Sequence, residues 1–434
     1  MQYGVIGAGV LGMTAALRLL ERGHEVSILE AGDGVGGLAG SFEVEPGIWL
    51  EKFYHHIFRS DRRITALIEE LGLGPSLRWH EPETAMQSGG RVEAFDTPGA
   101  VLRFSGLPLI DRVRLGAGVA LLKAMPRSGP IQDVSARRWL TRVMGGNAWR
   151  VVWEPLLRGK FGDAADDVSM AWLWARIHDR TRQLGYIDGG FHQLYTRIAS
   201  RIDERGGRLV TGFRAAAIEP QGAEISVRSA DARVETFDRL ISTLPAHLTL
   251  GITKDPAIDP TAGPRPPDAL GAHCLILSLD RPLTGRYWIG VADRGSPFLA
   301  VVEHTAMLEP AAYGGRHLVY LGNYVPHDDR LFEETPDETL ARYAPAIRGL
   351  NPAFDPSWVG KRWAFGARFA QPIVTPGFRM RIPPFETPVP NLFVASMFQV
   401  FPHDRGQNYS IELAERVVAR LEGPARTTPA GAGR

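Results

Sequence analysis

The sequence predicts an α/β protein in which a Rossmann-type domain with a parallel sheet is interlocked with a second, α+β domain. Three observations carry that expectation. The chain opens on a strand, a glycine turn and a helix. Its 434 residues exceed what one hydrophobic core usually serves. A middle region of helices then gives way to a run of strands before a last strand and helix close the chain.

Gln2 to Ile6 reads as a short buried strand, and Gly7-Ala8-Gly9-Val10-Leu11-Gly12 turns it into a helix running to about Arg22. Gly7 permits the tight turn, Gly9 leaves room for a pyrophosphate, and Gly12 lets the helix pack closely on the strand. The orphan N–H groups at Val10 to Met13, with the positive end of the helix dipole, then face the phosphates. Gly23 stops the helix and Glu25 to Leu29 forms a second strand. Glu30-Ala31 ends it about 20 residues past the glycines, where a carboxylate accepts hydrogen bonds from a ribose diol. Strand, glycines, helix, second strand and terminal Glu together predict a bound dinucleotide.

Charge and composition exclude several classes. Lys+Arg 49 balances Asp+Glu 48 and no run of five like charges occurs, so there is no electrostatic footprint for nucleic acid. The single cysteine, Cys274, lies in an apolar stretch and reads as a core residue; a disulfide framework and a cysteine-rich metal site are both excluded. No metal is expected. The chain begins directly with its first strand, leaving no room for a signal peptide, and no apolar run approaches the roughly 20 residues that span a bilayer. A cytoplasmic setting is the expectation, with a disordered tail over 423–434.

A second glycine cluster, Gly34-Val35-Gly36-Gly37-Leu38-Ala39-Gly40, follows Glu30. A purely nicotinamide-binding domain does not need it. Adjacent glycines suit a cofactor pressed along the backbone beyond its adenosine half, as the ribityl chain of FAD would be. With Gly7, Gly9, Gly12, Glu30, the Gly36-Gly37 pair, the Gly189-Gly190-Phe191 segment and the C-terminal segment described below, the chain resembles the FAD-dependent amine oxidase superfamily. That superfamily includes protoporphyrinogen oxidases, phytoene-desaturase-like enzymes and, more distantly, UDP-galactopyranose mutases. The resemblance implies tightly bound FAD and a discontinuous FAD-binding domain: residues 1–75, 186–246 and 381–422. Residues 76–185 are then a helical substrate-domain insertion, and 247–380 carry the substrate-domain sheet.

In Phe53-Tyr54-His55-His56-Ile57-Phe58, the His-Ile-Phe core resembles the mutase stretch that brings a histidine against the flavin. In an extended segment His55 and His56 point to opposite faces, so at most one faces the flavin and they cannot share a metal ion. Asp61 is expected to cap a helix over Arg62 to Leu71. From Pro75 to Gly185 helices dominate, with strand character near Gly90 to Phe104. Leu107 to Met125 is the most apolar part, and because this region borders a lipid-facing channel in related oxidases, peripheral membrane contact is an alternative to core packing. The tryptophans 139, 149, 153, 172 and 174 either line a pocket or pack between helices. Arg158 and Lys160 read as surface cations, with an anionic substrate as their alternative partner.

Gly189-Gly190-Phe191 leads into a helix through Leu194, Ile198 and Ile202, followed by short strands to Pro245. Residues 255–267 are a proline-rich linker. Strands at Ala272 to Leu279, Tyr287 to Val291, Phe298 to Val302 and His317 to Tyr324 predict a second sheet flooring the substrate cavity. Thr335-Pro336-Asp337-Glu338 is a capping box that starts a surface helix. Asn391 to Ala395 is a buried strand, and Ser410 to Leu421 the last helix. In the resembling family this helix N-terminus stabilises the electron-rich end of the reduced flavin, so the resemblance assigns Gln407, Asn408, Tyr409 and Ser410 as its donors. The family's usual Gly-Asp is replaced here by Ala395-Ser396, and no cysteine is available for a thioether-linked flavin, so FAD is expected to be non-covalent.

The resemblance favours an oxidoreductase that takes a hydride from a carbon of a small-molecule substrate, apolar or sugar-nucleotide, at flavin N5. His55, His56, Arg405 and Gln371 are its catalytic candidates. The alternatives are a mutase-like isomerase with no net redox and a catalytically silent FAD-binding partner.

Overall fold

The computed structural model describes residues 1–255, 268–293 and 295–423. One half is a five-stranded parallel sheet in the order Arg208–Val210, Glu25–Leu29, Gln2–Ile6, Arg239–Ser242, Leu392–Val394. Strands covered on both faces read as continuous apolar runs, and in Gln2–Ile6 only Gln2 reaches solvent. Helix Val10–Leu20 buries all but one of its residues because it lies between the sheet and two further helices, His192–Glu204 and Gln407–Glu422. Three distant stretches of chain thus build one layer.

The second half is a seven-stranded sheet in the order Val359–Pro372, Ala269–Leu279, His317–Val325, Ala300–Glu303, Trp288–Val291, Thr84–Ser88, Arg91–Ala94. Every neighbouring pair is antiparallel except Trp288–Val291 with Thr84–Ser88. Helix Pro336–Leu350 covers one face, packing Leu340, Tyr343 and Ile347 onto Leu275, Leu277 and Leu321. Its capping box is present, with Glu338 N–H on Thr335 Oγ1 at 3.3 Å and Thr335 N–H on Glu338 Oε2 at 2.8 Å.

The insertion differs from its sequence reading in one respect. Besides helices it contributes strands at Leu77–His80, Thr84–Ser88 and Arg91–Ala94, while Pro98–Arg103 is helical. Thr97 starts that helix, accepting the Ala100 N–H at 3.1 Å, with Pro98 at the first helical position. The remaining helices pack around Trp149, Trp172 and Trp174. Helix Leu109–Ala124 turns Leu109, Ile110, Val113 and Leu121 outward, beside exposed Leu102. Among the described residues no helix is long and apolar enough to cross a membrane. The linker expected over 255–267 lies, apart from Asp255, outside the described residues, as does the tail beyond Gly423.

Candidate functional site

The glycine turn is built by close backbone contact. Gly7 has φ +101° and donates its N–H to the Leu29 carbonyl at 2.8 Å. A Cβ on Gly12 would stand 2.0 Å from the Gly7 carbonyl oxygen, so only glycine lets the helix start there. The Met13 N–H already joins the helix ladder on the Gly9 carbonyl at 3.0 Å. The orphan donors are therefore Val10 to Gly12, one residue fewer than the sequence suggests. Glu30 accepts from the N–H groups of Ala8 at 2.7 Å and Gly32 at 2.8 Å, which fixes its carboxylate at the mouth of the turn beside exposed Ala31.

The second glycine cluster folds back onto the first. Gly36 donates to the Ala8 carbonyl at 2.8 Å and bridges Gly9, and a Cβ on Gly37 would lie 3.1 Å from the Gly9 Cα. Gly36 itself is held at φ +104° against Tyr195 and Gly40. Leu38 continues from this cradle into a cleft enclosing about 1380 Å³, part of it open to solvent.

Seven of the proposed site residues meet in that cleft. Leu38, His55, His56, Arg405, Gln407, Asn408 and Tyr409 line it; Gln371, 1% exposed, stands behind as a partner of Arg405, and Ser410 lies deeper in the helix first turn. Both histidines line it, on residues 52–56 that run as irregular chain before the short strand Ile57–Phe58, so the strand alternation expected of them does not apply. His55 Nδ1 pairs with the Phe53 carbonyl at 2.6 Å, and His56 Nδ1 with the Tyr287 hydroxyl at 2.9 Å. Burial pushes His55 down to about 4 despite the Phe53 carbonyl, and His56 down to about 3, helped by Arg180. Both rings are neutral at pH 7, so His55 Nδ1 is the donor to the carbonyl.

The loop before the last helix anchors several walls at once. Arg405 Nε donates to Gln371 Oε1 at 3.2 Å and its terminal nitrogen to the Tyr324 hydroxyl at 2.5 Å. Asp404 accepts from Trp172 Nε1 at 3.0 Å and from Arg176. Burial alone would raise the Asp404 carboxyl, but Lys160, Arg176 and Arg405 hold it well below the usual carboxylate range. Asp179 binds His403 at 2.6 Å and the Tyr409 hydroxyl at 2.8 Å.

Helix Gln407–Glu422 starts one turn earlier than expected, so Gln407 to Tyr409 supply its orphan N–H groups. Two of their side chains also have structural duties. Gln407 accepts from the Tyr195 hydroxyl, and Asn408 Oδ1 accepts the N–H groups of Arg63 at 2.8 Å and Ile64 at 3.3 Å. Asn408 therefore caps helix Arg62–Glu70. Asp61 does not, because its carboxylate turns back to the Phe58 N–H at 2.8 Å.

Several cleft residues escaped the sequence reading. Lys160, read as a surface cation, is 7% exposed and lines the cleft, whereas Arg158 does lie at the surface, paired with Glu154 and Asp166. Arg176, Arg180 and Tyr324 carried no motif. The only hint was the aromatic and basic content of the helical insertion. Ser396, standing where the family has Asp, is 2% exposed, and its Oγ has no partner among the described residues.

A parallel sheet with a glycine turn at its crevice, backed by a second sheet and a cleft partly open to solvent, defines a dinucleotide-binding fold. Residues 12–402 match the family described as flavin containing amine oxidoreductases, and the chain belongs to that family. A protein named as a flavin-containing monoamine oxidase, AofH, from Mycobacterium tuberculosis is 27% identical over 274 residues, 59% of each chain. The chain thus spans about three fifths of the length of that curated relative. Zeta-carotene desaturase from Synechocystis is 34% identical over 97 residues, 22% of this chain and 20% of that one. Among solved structures, a protein named as a protoporphyrinogen oxidase from Exiguobacterium matches with a TM-score of 0.75 at 17% identity, over 97% of this chain and 98% of that one. Reduced UDP-galactopyranose mutase matches with a TM-score of 0.73 at 18% identity, over 98% and 96%. These similarities show the fold. With oxidases and desaturases as the curated relatives, the isomerase alternative is not favoured.

Proposed function

We propose that the protein is an FAD-dependent oxidoreductase that takes a hydride from a carbon of a small-molecule substrate, with FAD held non-covalently. The observation that carries this is the double glycine cradle, in which Gly36 and Gly37 close on Ala8 and Gly9 and leave a backbone track from Glu30 toward the cleft. FAD, when bound, supplies the two-electron acceptor at N5 that no side chain can provide.

The chain's own residues would do the rest. The Val10 to Gly12 N–H groups receive phosphate charge, and Glu30 receives a ribose diol. The orphan Ser396 hydroxyl fits a polar chain passing the end of strand Leu392–Val394. The first-turn N–H groups at Gln407 to Tyr409 offer positive potential to developing negative charge. Neutral His55 and His56, with Trp288 and Tyr54, wall the cleft and restrict water without adding charge.

Two measurements test the reading. Purified protein should show visible flavin bands, and acid precipitation should release FAD into the supernatant. Anaerobic reduction followed by timed reoxidation in air separates an oxidase from a dehydrogenase or desaturase; a protein that neither carries nor takes up FAD refutes the proposal. Contact with a membrane surface is supported by the outward Leu102, Leu109, Ile110, Val113 and Leu121, bordered by Arg103 and Arg114. Co-sedimentation with anionic vesicles, lost in Ile110→Asp, tests it.

A further inference from the structure

The cleft is lined by four cationic side chains, Lys160, Arg176, Arg180 and Arg405, against three carboxylates, Asp61, Asp179 and Asp404. The carboxylates are all engaged. Asp61 accepts the Phe58 N–H, Asp179 serves His403 and Tyr409, and Asp404 takes Trp172, Arg176 and the Arg405 backbone N–H at 3.1 Å. Arg405 turns to the neutral Gln371 and Tyr324.

Two cations are left over. Lys160 Nζ has no hydrogen bond or ion pair among the described residues; it stands 4.4 Å from the centre of the Tyr324 ring and 5.5 Å from that of Trp172. The Arg180 guanidinium likewise has no hydrogen bond or ion pair among the described residues, and it lies 5.9 Å from the Phe58 ring centre. A lysine more than nine-tenths buried without a hydrogen-bonded counter-ion costs stability. Burial pulls its proton affinity well down, with Asp404 only partly opposing. Such a group is tolerated where a ligand completes it.

We propose that the substrate of this cleft carries an oxyanion, a carboxylate or a phosphate, held between Lys160 and Arg180, and is not a cationic amine. This rests on the flavoprotein reading and names the substrate class within it. An ammonium group entering the cleft would meet Lys160 and Arg180 unpaired and find every carboxylate occupied. An oxyanion would take hydrogen bonds from both cations and relieve the buried lysine.

The test is a titration of the holoprotein with three probes built on one phenyl ring: benzoate, phenyl phosphate and benzylamine. Binding is read from the flavin bands and independently from the melting temperature. At least one of the two anions should saturate both signals while benzylamine does not. Lys160→Met should weaken the anion by about tenfold or more, and Lys160→Arg should restore most of the loss. Arg180→Gln, at an exposed position, should weaken it several-fold, and decides the matter alone if Lys160→Met fails to fold. Preferential binding of benzylamine, no saturable binding by either anion, or anion binding unchanged in a folded Lys160→Met or Arg180→Gln overturns the proposal. Absent flavin bands would instead defeat the flavoprotein reading, and the melting temperature would still report on the anion.

Discussion

The cradle makes a prediction that separates glycines needed for contact from glycines that only loosen a loop. In Gly12→Ala the new methyl would stand 2.0 Å from the Gly7 carbonyl oxygen, where ordinary contact begins at 3.4 Å, so helix and turn must part by about 1.4 Å. Neither side yields cheaply. Gly7 is fixed at φ +101° with Thr243 Oγ1 only 2.3 Å from where its own Cβ would be, and Ala8 is pinned through its N–H to Glu30 and through its carbonyl to Gly36. Overpacking a rigid site costs about 1–3 kcal/mol, and backbone on both sides puts this case at about 3 kcal/mol. Charged to cofactor binding, that is a loss of roughly 10²-fold in affinity. Gly34→Ala in the second cluster meets nothing within 4 Å and needs no positive φ, so it should leave binding unchanged. FAD titration of the two apoproteins, followed by flavin fluorescence and melting temperature, reads the difference. Wild-type affinity in Gly12→Ala, or an equal loss in Gly34→Ala, would refute the steric reasoning.

Three further outcomes follow from the site. Burial raises the Asp61 carboxyl to about 6, above its ordinary 3.8, so the favourable protonated state persists below pH 4 and is lost as pH rises through 6; about two pKa units is about 3 kcal/mol. Denaturation of wild type against Asp61→Asn at pH 4 and pH 7 should show the variant gaining by that order toward pH 7, and a pH-independent difference would contradict it. Asn408→Ala removes the cap of helix Arg62–Glu70 and should lower unfolding stability by about 1 kcal/mol, with Asn408→Asp retaining most of it. Ser396→Ala deletes an unpartnered hydroxyl, so apoprotein stability should hold or rise slightly while FAD affinity falls about threefold to tenfold; equal affinity would remove Ser396 from the cofactor's path.

What could be read from sequence was what neighbouring residues decide. The first glycine turn, Glu30 at the end of the second strand and the Thr335 capping box all rest on sterics and hydrogen bonds within a few residues or one βαβ unit. The role of Gly36 and Gly37 was only half legible, because their need for no side chain arises when the loop folds back onto Gly9. Asp61 and Asn408 show the limit more sharply. A cap motif was present at the right place, yet the acceptor comes from 345 residues away and the local carboxylate turns elsewhere. Lys160 was misread for the same reason: its short helix Glu154–Phe161 looks amphiphilic on its own, and only the facing strand with Tyr324 makes its inner side polar and enclosed.

The stretch from His403 to Tyr409 ties these observations together. Within seven residues it reaches Asp179 through His403 and Tyr409, the helical insertion through Asp404, the antiparallel sheet through Arg405, helix His192–Glu204 through Gln407 and helix Arg62–Glu70 through Asn408. The N–H groups that begin the last helix are therefore positioned by four other parts of the chain, Asp179 belonging to the helical insertion, and not by the helix alone. Asp404 sits at the junction, since Lys160, Arg176 and Arg405 all act on its charge. An oxyanion that engages Lys160 competes with Asp404 for the same positive field, and weakening that field shifts the balance on the loop carrying Gln407 to Tyr409. Substrate charge and the potential at the helix N-terminus are thus coupled through one carboxylate. Asp404→Asn should uncouple them, which is measurable as a flavin reduction potential that no longer changes when benzoate or phenyl phosphate binds.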